Sequence, residues 1–476
     1  MVVADCRCAN AALRKGTDGC LIVVAMRYER RTACLRTLAV AALGCALLAG
    51  VWALHAYPAP LSQRHDVAVA GGLLVVCGTA SVLLWRSGRR RDVAIVLVVA
   101  LAARLLLAFD PPRLSNDAYR FVWDGRVQAA GINPYRHPPA AESLLGLRDF
   151  RIFTHVNRPY TTTLYPPASE VTFLAIHETA GDGLPQLKLS WIAIEAVVVA
   201  LLLVILARTR RPAGRVVLYA WHPLAIVEIA GSGHPEALLL ALTLASLLLW
   251  DRGRRIGTGV ALAAAALTKF VPILLAPFMF RRLGVRFVAA LVAAAAALYL
   301  PYVGAGTAAL GSVGAYSNQV FGTGPHHWLI AVGVPDPLAR AGLLLLLVLA
   351  VAWTAAHPPR DLAEACRYAA LLLAGSLLAS QSVLPWYLLW VLPLLCVDPQ
   401  PALLWACSTA SIYYVASLPV RIVSEDVASV IVWGPTVVLL IAALTRSMSR
   451  RWAARAAAGR EGPGVGTAPA PAEAPV

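Results

Sequence analysis

About twelve apolar runs, most of them near the twenty residues that carry a helix across a bilayer, leave this chain little choice but a helical bundle in a membrane. They lie near residues 35–56, 66–85, 92–109, 186–207, 215–230, 235–250, 284–303, 337–356, 366–383, 385–397, 401–419 and 427–446. Inside hydrocarbon every backbone N–H and C=O needs a partner within the chain, which helices supply and open sheets do not. Composition agrees. Of 476 residues, 59% are hydrophobic and only 14% charged, and the mean hydropathy is +0.69. A soluble protein of this size would need far more polar surface. The fold class expected is therefore an all-α polytopic membrane protein of about twelve spans. Several runs are short, so neighbours are bent or broken.

Two segments do not read as plain spans. Residues 167–181 are short and carry Glu170, His177 and Glu178. Residues 256–280 are apolar but flanked by arginines at both ends, and they break at Lys269-Phe270-Val271-Pro272. The first reads as re-entrant or interfacial. The second reads as a short hairpin dipping in from the cytoplasm, where non-helical backbone needs protein or a cavity around it.

Charge sets the sidedness. With the N-terminus inside, the clusters Arg86/Arg89/Arg90/Arg91, Arg208/Arg210/Arg211/Arg215, Arg252/Arg254/Arg255, Arg281/Arg282/Arg286 and Arg446/Arg450/Arg451/Arg455 all face the cytoplasm, and the loop near 304–336, which has no Lys or Arg, falls outside. The net charge of +16 is thus a mark of topology. The basic residues form no continuous face with interleaved aromatics, so nucleic acid is not the expected partner. A cell (plasma) membrane location with both termini cytoplasmic follows. Residues 35–446 read as a single transmembrane domain. Residues 1–34 read as a poorly ordered extension without a signal-peptidase site, and Met26 before Arg27, Arg30 and Arg31 is a natural start. Residues 447–476 read as a basic, then Ala/Pro-rich, disordered tail. None of the nine cysteines lies in a long polar loop, so a disulfide framework is not expected. No internal repeat is evident, which weakens a transporter built from two related halves.

The anomaly is a polar stretch of some fifty-five residues, 110–166, placed outside by this topology. It holds seven arginines against five acids. Long loops escape the positive-inside rule, and anionic ligands are one reason for such a balance. The loop opens after Pro111-Pro112, where Ser115 or Asn116 can cap a helix bearing Asp117, Arg120, Asp124 and Arg126. A carboxylate at the mouth of a membrane cavity can act as general base on a hydroxyl. The same spacing also fits an Asp117–Arg120–Asp124 salt-bridge set with Asp117 in the cap. Gly131-Ile132-Asn133-Pro134-Tyr135 and Tyr165-Pro166-Pro167 then read as turns.

Further along, Gly231-Ser232-Gly233-His234-Pro235-Glu236 forms an external turn between two apolar runs. His234 and Glu236 can orient a phosphate; a lone His-x-Glu is weak evidence for metal. Glu228 lies within a span, where an ionisable residue is a functional candidate by default. Lys269 must find an anion, water or carbonyls. Trp386 and Tyr387 suit interfacial anchors or sugar stacking. His326 and His327 read as a solvated loop pair.

In this order, Asn116-Asp117-Ala118-Tyr119, Gly131-Ile132-Asn133-Pro134-Tyr135, Tyr165-Pro166-Pro167, Gly233-His234-Pro235-Glu236, Thr268-Lys269 with Pro272, and Pro385-Trp386-Tyr387 resemble the integral-membrane glycosyltransferases of the GT-C type. The likeness is to the bacterial mannosyltransferases that use polyprenyl-phosphate-linked mannose, and it runs from about 92 to 446. The resemblance implies a large first external loop whose catalytic aspartate is Asp117. It implies an inverting transfer of a hexose, mannose first, from a polyprenyl-phosphate donor to a lipid- or glycan-linked hydroxyl. Arg120, Arg126, Arg158, His234 and Lys269 are the candidates for the donor phosphate. Asp124, Tyr135, Tyr165, Glu236, Trp386 and Tyr387 are the candidates for sugar or acceptor contacts. Relatives often carry two adjacent acids where this chain has Asn116-Asp117, so no metal or other cofactor is indicated. The rival reading is a transporter or flippase of a lipid-linked or anionic substrate, which needs no base in the first loop.

Overall fold

A computed structural model describes residues 18–56, 62–311, 323–416 and 424–460. Among these residues all regular structure is helical. Helix α1 spans Asp18–Ala56, α2 Ser62–Leu84 and α3 Arg90–Ala108; α4 (Asp117–Ala129) and α5 (Pro167–Ala180) flank the long loop. Then come α6 (Leu184–Arg208), α7 (Glu236–Asp251), α8 (Arg255–Ala266), α9 (Val285–Tyr299), α10 (Asp336–Ala356), α11 (Leu362–Ala379) and α12 (Glu425–Arg460), with shorter helical turns between them.

Seven of the described helices are long and apolar enough to cross a bilayer, and an eighth span arises if Pro223–Gly231 and α7, bent by 119°, are counted as one. About twelve spans, some of them bent or broken, are expected from the sequence; length and composition bear out seven or eight among the described residues. The reasons are local. Helix α3 carries Arg90, Arg91, Asp92 and Arg104 within its 19 residues. The run near 385–397 breaks into the turns Pro385–Trp390 and Leu392–Leu395, because each proline removes a backbone donor and crowds the preceding turn. Among the described residues, the run near 401–419 forms the short helices Pro401–Thr409 and Ile412–Ala416. Helix α1 begins ahead of the run at 35, and α12 continues past 446 to Arg460. Of the segments expected to be poorly ordered, 1–34 and 447–476, residues 18–34 and 447–460 belong to helices α1 and α12, and the remainder, like 312–322, lies outside the described residues.

Charges inside the bundle are paired, as hydrocarbon requires. Arg104 of α3 makes two 2.6 Å bonds to Glu195 of α6 and donates to the carbonyls of Ala100 and Ala220. Lys188 of α6 donates to the carbonyls of Leu107 and Asp110 at 2.5 and 2.8 Å, closing the C-terminal end of α3.

Three features place the long loop. Pro166 and Pro167 open α5, a position where the missing N–H costs nothing. Phe121 of α4 stacks on Phe173 of α5 with centroids 4.9 Å apart. Between the same helices, a Cβ on Gly125 would stand 2.7 Å from the Phe173 carbonyl oxygen, so only glycine permits this approach. The start of α5 is tied to the tip that follows α8: Ala168 N–H donates to Leu267 O at 2.9 Å, and Ser169 Oγ to Thr268 O at 3.0 Å. Helix α8, at twelve residues, is too short for a span. The turn Val271–Leu275 and the helix Ala276–Leu283 follow it, so the apolar stretch is interrupted where its sequence breaks.

Candidate active site

The loop helix, the break before α7 and the turn that follows α8 carry polar groups to one another. Asp117 is the first residue of α4. Asn116 makes no side-chain cap; Ser115 Oγ instead accepts the Asp117 N–H at 3.2 Å. The Asp117 side chain is 22% exposed. Asn157 Nδ2 donates to its Oδ1 at 2.5 Å. Asn157 is held over α4 by the preceding segment, where His155 stacks on Tyr119 at 4.7 Å.

The other Asp117 oxygen faces His234 Nε2 at 3.8 Å. That is too long for a hydrogen bond, and Nε2 is buried with no hydrogen-bond partner among the described residues. His234 Nδ1 meets Glu228 Oε2 at 3.1 Å, and Tyr414 Oη donates to Glu228 Oε1 at 2.8 Å. Glu228 and His234 are each 1% exposed. Their juxtaposition comes from backbone: Ile226–Gly231 is a π-helix, and His234 N–H donates to Glu228 O at 3.0 Å. Such wide turns recur at functional sites. Gly233 completes the break with φ +79°, and a Cβ there would lie 3.1 Å from the Ala118 Cβ. The left-handed backbone and the close approach both call for glycine.

Trp386 lies flat on the His234 ring, with centroids 4.0 Å apart. Tyr387 stands edge-on to Trp386 and stacks on Trp390 at 4.6 Å. Lys269, in the turn that follows α8, pairs with Glu236 and lies 4.8 Å from the Tyr387 ring and 5.7 Å from the Trp390 ring. A cation over aromatic faces is stabilised by the ring quadrupole. Glu236, the first residue of α7, is wholly buried, and its Oε2 has no hydrogen-bond partner among the described residues. Asp117, Glu228, His234, Glu236, Lys269, Trp386 and Tyr387 thus form one connected set of contacts.

Other candidates have structural partners. Arg120 is buried, holds both oxygens of Asp124 at 2.8 and 2.9 Å, and donates to Thr161 O. The salt-bridge alternative therefore holds for Arg120 and Asp124, without Asp117. Arg126 pairs with Asp149 and Asp182, both at 2.8 Å. Tyr135 Oη donates to Tyr165 O at 2.6 Å, and the Tyr165 ring packs edge-on to Phe121. Arg158 has φ +50°, and its carbonyl accepts Thr161 N–H in the turn after Asn157. Asp124 also comes within hydrogen-bonding reach of Glu170. Burial raises both carboxyls. The nearby Asp124 charge raises Glu170 further, while Arg120 pulls Asp124 back. Thr163 Oγ1 at 2.6 Å and Gln128 Nε2 at 2.9 Å complete the Glu170 shell.

Tyr414 and Asn157 were not signalled by any motif. Tyr414 is 186 residues from its partner, and an asparagine among loop polars reads as a turn former. Glu228 carried the one legible signal, a carboxylate within an apolar run.

Fold and site define a polytopic helical membrane protein with a buried glutamate–histidine pair set against a solvent-reaching aspartate. Residues 19–284 match the model of the MptA_B family, alpha-(1->6)-mannopyranosyltransferase, N-terminal domain. That is more than half of the chain, and the chain belongs to this family: it is a glycosyltransferase, of the mannosyl-transferring kind. No curated protein and no solved structure matches it. The matched region contains Asp117, Glu228, His234, Glu236 and Lys269; Trp386, Tyr387 and Tyr414 come from beyond it.

Proposed function

We propose that this chain moves mannose from a polyprenyl-phosphate donor to a hydroxyl of a lipid- or glycan-linked acceptor, on the extracytoplasmic face of the cell membrane, with inversion at the anomeric carbon. The sidedness rests on the arginine clusters, which fall on the face opposite the loop when both termini are cytoplasmic. The observation that carries the chemistry is the Asp117 carboxylate. It is half-buried, fixed at one oxygen by Asn157 and turned at the other toward His234.

In this reading Asp117 takes the proton of the acceptor hydroxyl. The acceptor oxygen bonds to the anomeric carbon as the bond from that carbon to the phosphate oxygen breaks, and its electron pair leaves with the phosphate. The leaving phosphate gains charge in the transition state, so a preorganised cation lowers the barrier. Lys269 fits that role, held by Glu236 and the faces of Tyr387 and Trp390. Glu228 holds the His234 ring through Nδ1, which leaves Nε2 directed at Asp117 and the incoming hydroxyl. Arg120 and Arg126 act in the loop scaffold, consistent with their ion pairs.

The test reconstitutes the full chain in liposomes with radiolabelled polyprenyl-phosphate mannose and a mannoside acceptor. Label appearing in the acceptor supports the reading. Movement of the lipid between leaflets without any transfer would replace it with the flippase alternative.

A further inference from the structure

Beside the Asp117–His234 pair the structure holds a cavity of about 230 Å³ whose polar and aromatic wall includes Ser115, Thr323, Trp386, Tyr413, Tyr414 and Glu425. Its size admits a single sugar ring and falls below the usual range of drug-sized pockets. We propose that this cavity is the acceptor subsite, and that it takes the neutral terminal hexose of a saccharide acceptor. The proposal rests on the transferase reading above and names the end of the acceptor that the enzyme grips.

Three observations carry it. The wall chemistry is that of sugar recognition: aromatic rings for the apolar C–H face of a pyranose, with hydroxyls and a carboxylate for its ring hydroxyls. Glu425 places a carboxylate, an acceptor for sugar hydroxyls, in that wall. Second, the walls are already built. Tyr413 Oη donates to Thr323 O at 2.6 Å, Trp433 Nε1 donates to the same carbonyl at 2.7 Å, and Val383 N–H donates to Thr323 Oγ1 at 2.9 Å. Tyr414 is fixed by Glu228, and Trp386 by its stack on His234. A ligand entering such a cavity spends little on ordering its walls.

Third, charge separates acceptor from donor. The described wall of the cavity carries an acid, Glu425. The donor's mannose is bonded directly to a phosphate, which Glu425 would repel. A neutral acceptor sugar meets no such penalty. The cation suited to the phosphate, Lys269, lies instead against Tyr387 and Trp390. Ser115 belongs to the cavity wall and also accepts the Asp117 N–H, so a hydroxyl of the bound sugar is delivered next to the base.

The experiment measures the Michaelis constants for donor and acceptor separately, using polyprenyl-phosphate mannose and an alkyl α-mannoside of one or two sugars as the probe. Two variants of the full chain are compared with wild type: Glu425→Gln, which removes the charge, and Leu384→Trp, which fills the cavity. Loss of a charged hydrogen bond predicts an acceptor KM raised about tenfold to a hundredfold in Glu425→Gln, with the donor KM within about twofold. Leu384→Trp raises the acceptor KM at least as much. Size exclusion and thermal melts check folding, and Glu425→Gln, at a half-exposed position, keeps the question open to test if the tryptophan variant fails to fold. A raised donor KM with the acceptor KM unchanged would assign the cavity to the donor's mannose and overturn the proposal; no change in either would overturn it too. If wild type transfers nothing, the reading of polyprenyl-phosphate mannose as donor itself falls. Equilibrium binding of the mannoside then judges the cavity alone: binding lost in Leu384→Trp keeps a saccharide site, and no binding to wild type removes it.

Discussion

His234 Nε2 stands 3.8 Å from Asp117 Oδ2, with no hydrogen bond between them and with Nε2 buried and without a hydrogen-bond partner among the described residues. The ring is steered there by Glu228, which Tyr414 holds in turn. A carboxylate kept acceptor-ready and a ring nitrogen kept unpaired suit a hydroxyl arriving between them. Glu228 acts through His234 and is a positioning residue. Glu228→Gln keeps the shape but loosens the ring, and small misplacements near a reacting centre are costly, up to about a hundredfold. The variant is expected to lose kcat by about that factor with the donor KM preserved. A loss confined to KM would place Glu228 in substrate binding instead.

Gly233 ties the break before α7 to the first turn of α4. With φ +79° and a Cβ position 3.1 Å from Ala118, Gly233→Ala is expected to destabilise the fold by about 1–3 kcal/mol. It should also lower transfer, because His234 follows directly. Thermal melts and initial rates measured on one preparation check both effects.

Lys269 and Glu236 form a pair with side chains 15% and 0% exposed. Removing one partner strands a buried charge, which costs about 3–5 kcal/mol. Lys269→Met should therefore lower the melting temperature sharply. Lys269→Met combined with Glu236→Gln should recover most of that stability and none of the activity. Recovery of activity in the double variant would remove Lys269 from phosphate stabilisation.

Asp124 and Glu170 share the interface of α4 and α5 with a single cation, Arg120, on Asp124. Burial first, then the neighbouring Asp124 charge, raises the Glu170 carboxyl well above its ordinary value of 4.5. The folded state therefore binds this proton more tightly than the unfolded chain. The stabilisation is complete below about 4.5 and is lost as the pH climbs through the raised value. Melting temperature should fall across that window in wild type. Glu170→Gln, which presents a permanent N–H donor, should flatten the dependence. An unchanged slope in the variant would show that another group carries it.

The legibility of this protein in its sequence follows the range of the interactions involved. Helical class is written in the apolar runs, and the end of α8 in the break at Lys269-Phe270-Val271-Pro272. The span count is not, because a run's hydropathy does not reveal that prolines 385 and 393 turn it into short helices. Asp117 was distinguishable from a cap only through the family resemblance; in the structure the Asn116 side chain does no capping. The loop arginines are ambiguous for a physical reason. Arg120 and Arg126 find acids 4, 23 and 56 residues away, and composition alone cannot separate such pairing from readiness for phosphate. The cavity wall, gathered from residues 115, 323, 386, 413, 414 and 425, has no signature in any single stretch of chain.

The central claim is that Asp117 is the base. Single-turnover transfer from polyprenyl-phosphate mannose to a mannoside acceptor, compared between wild type and Asp117→Asn of equal melting temperature, tests it most directly. Loss of general-base catalysis predicts a rate lower by about a hundredfold to ten-thousandfold, with donor binding retained. Transfer by Asp117→Asn at the wild-type rate would contradict the account.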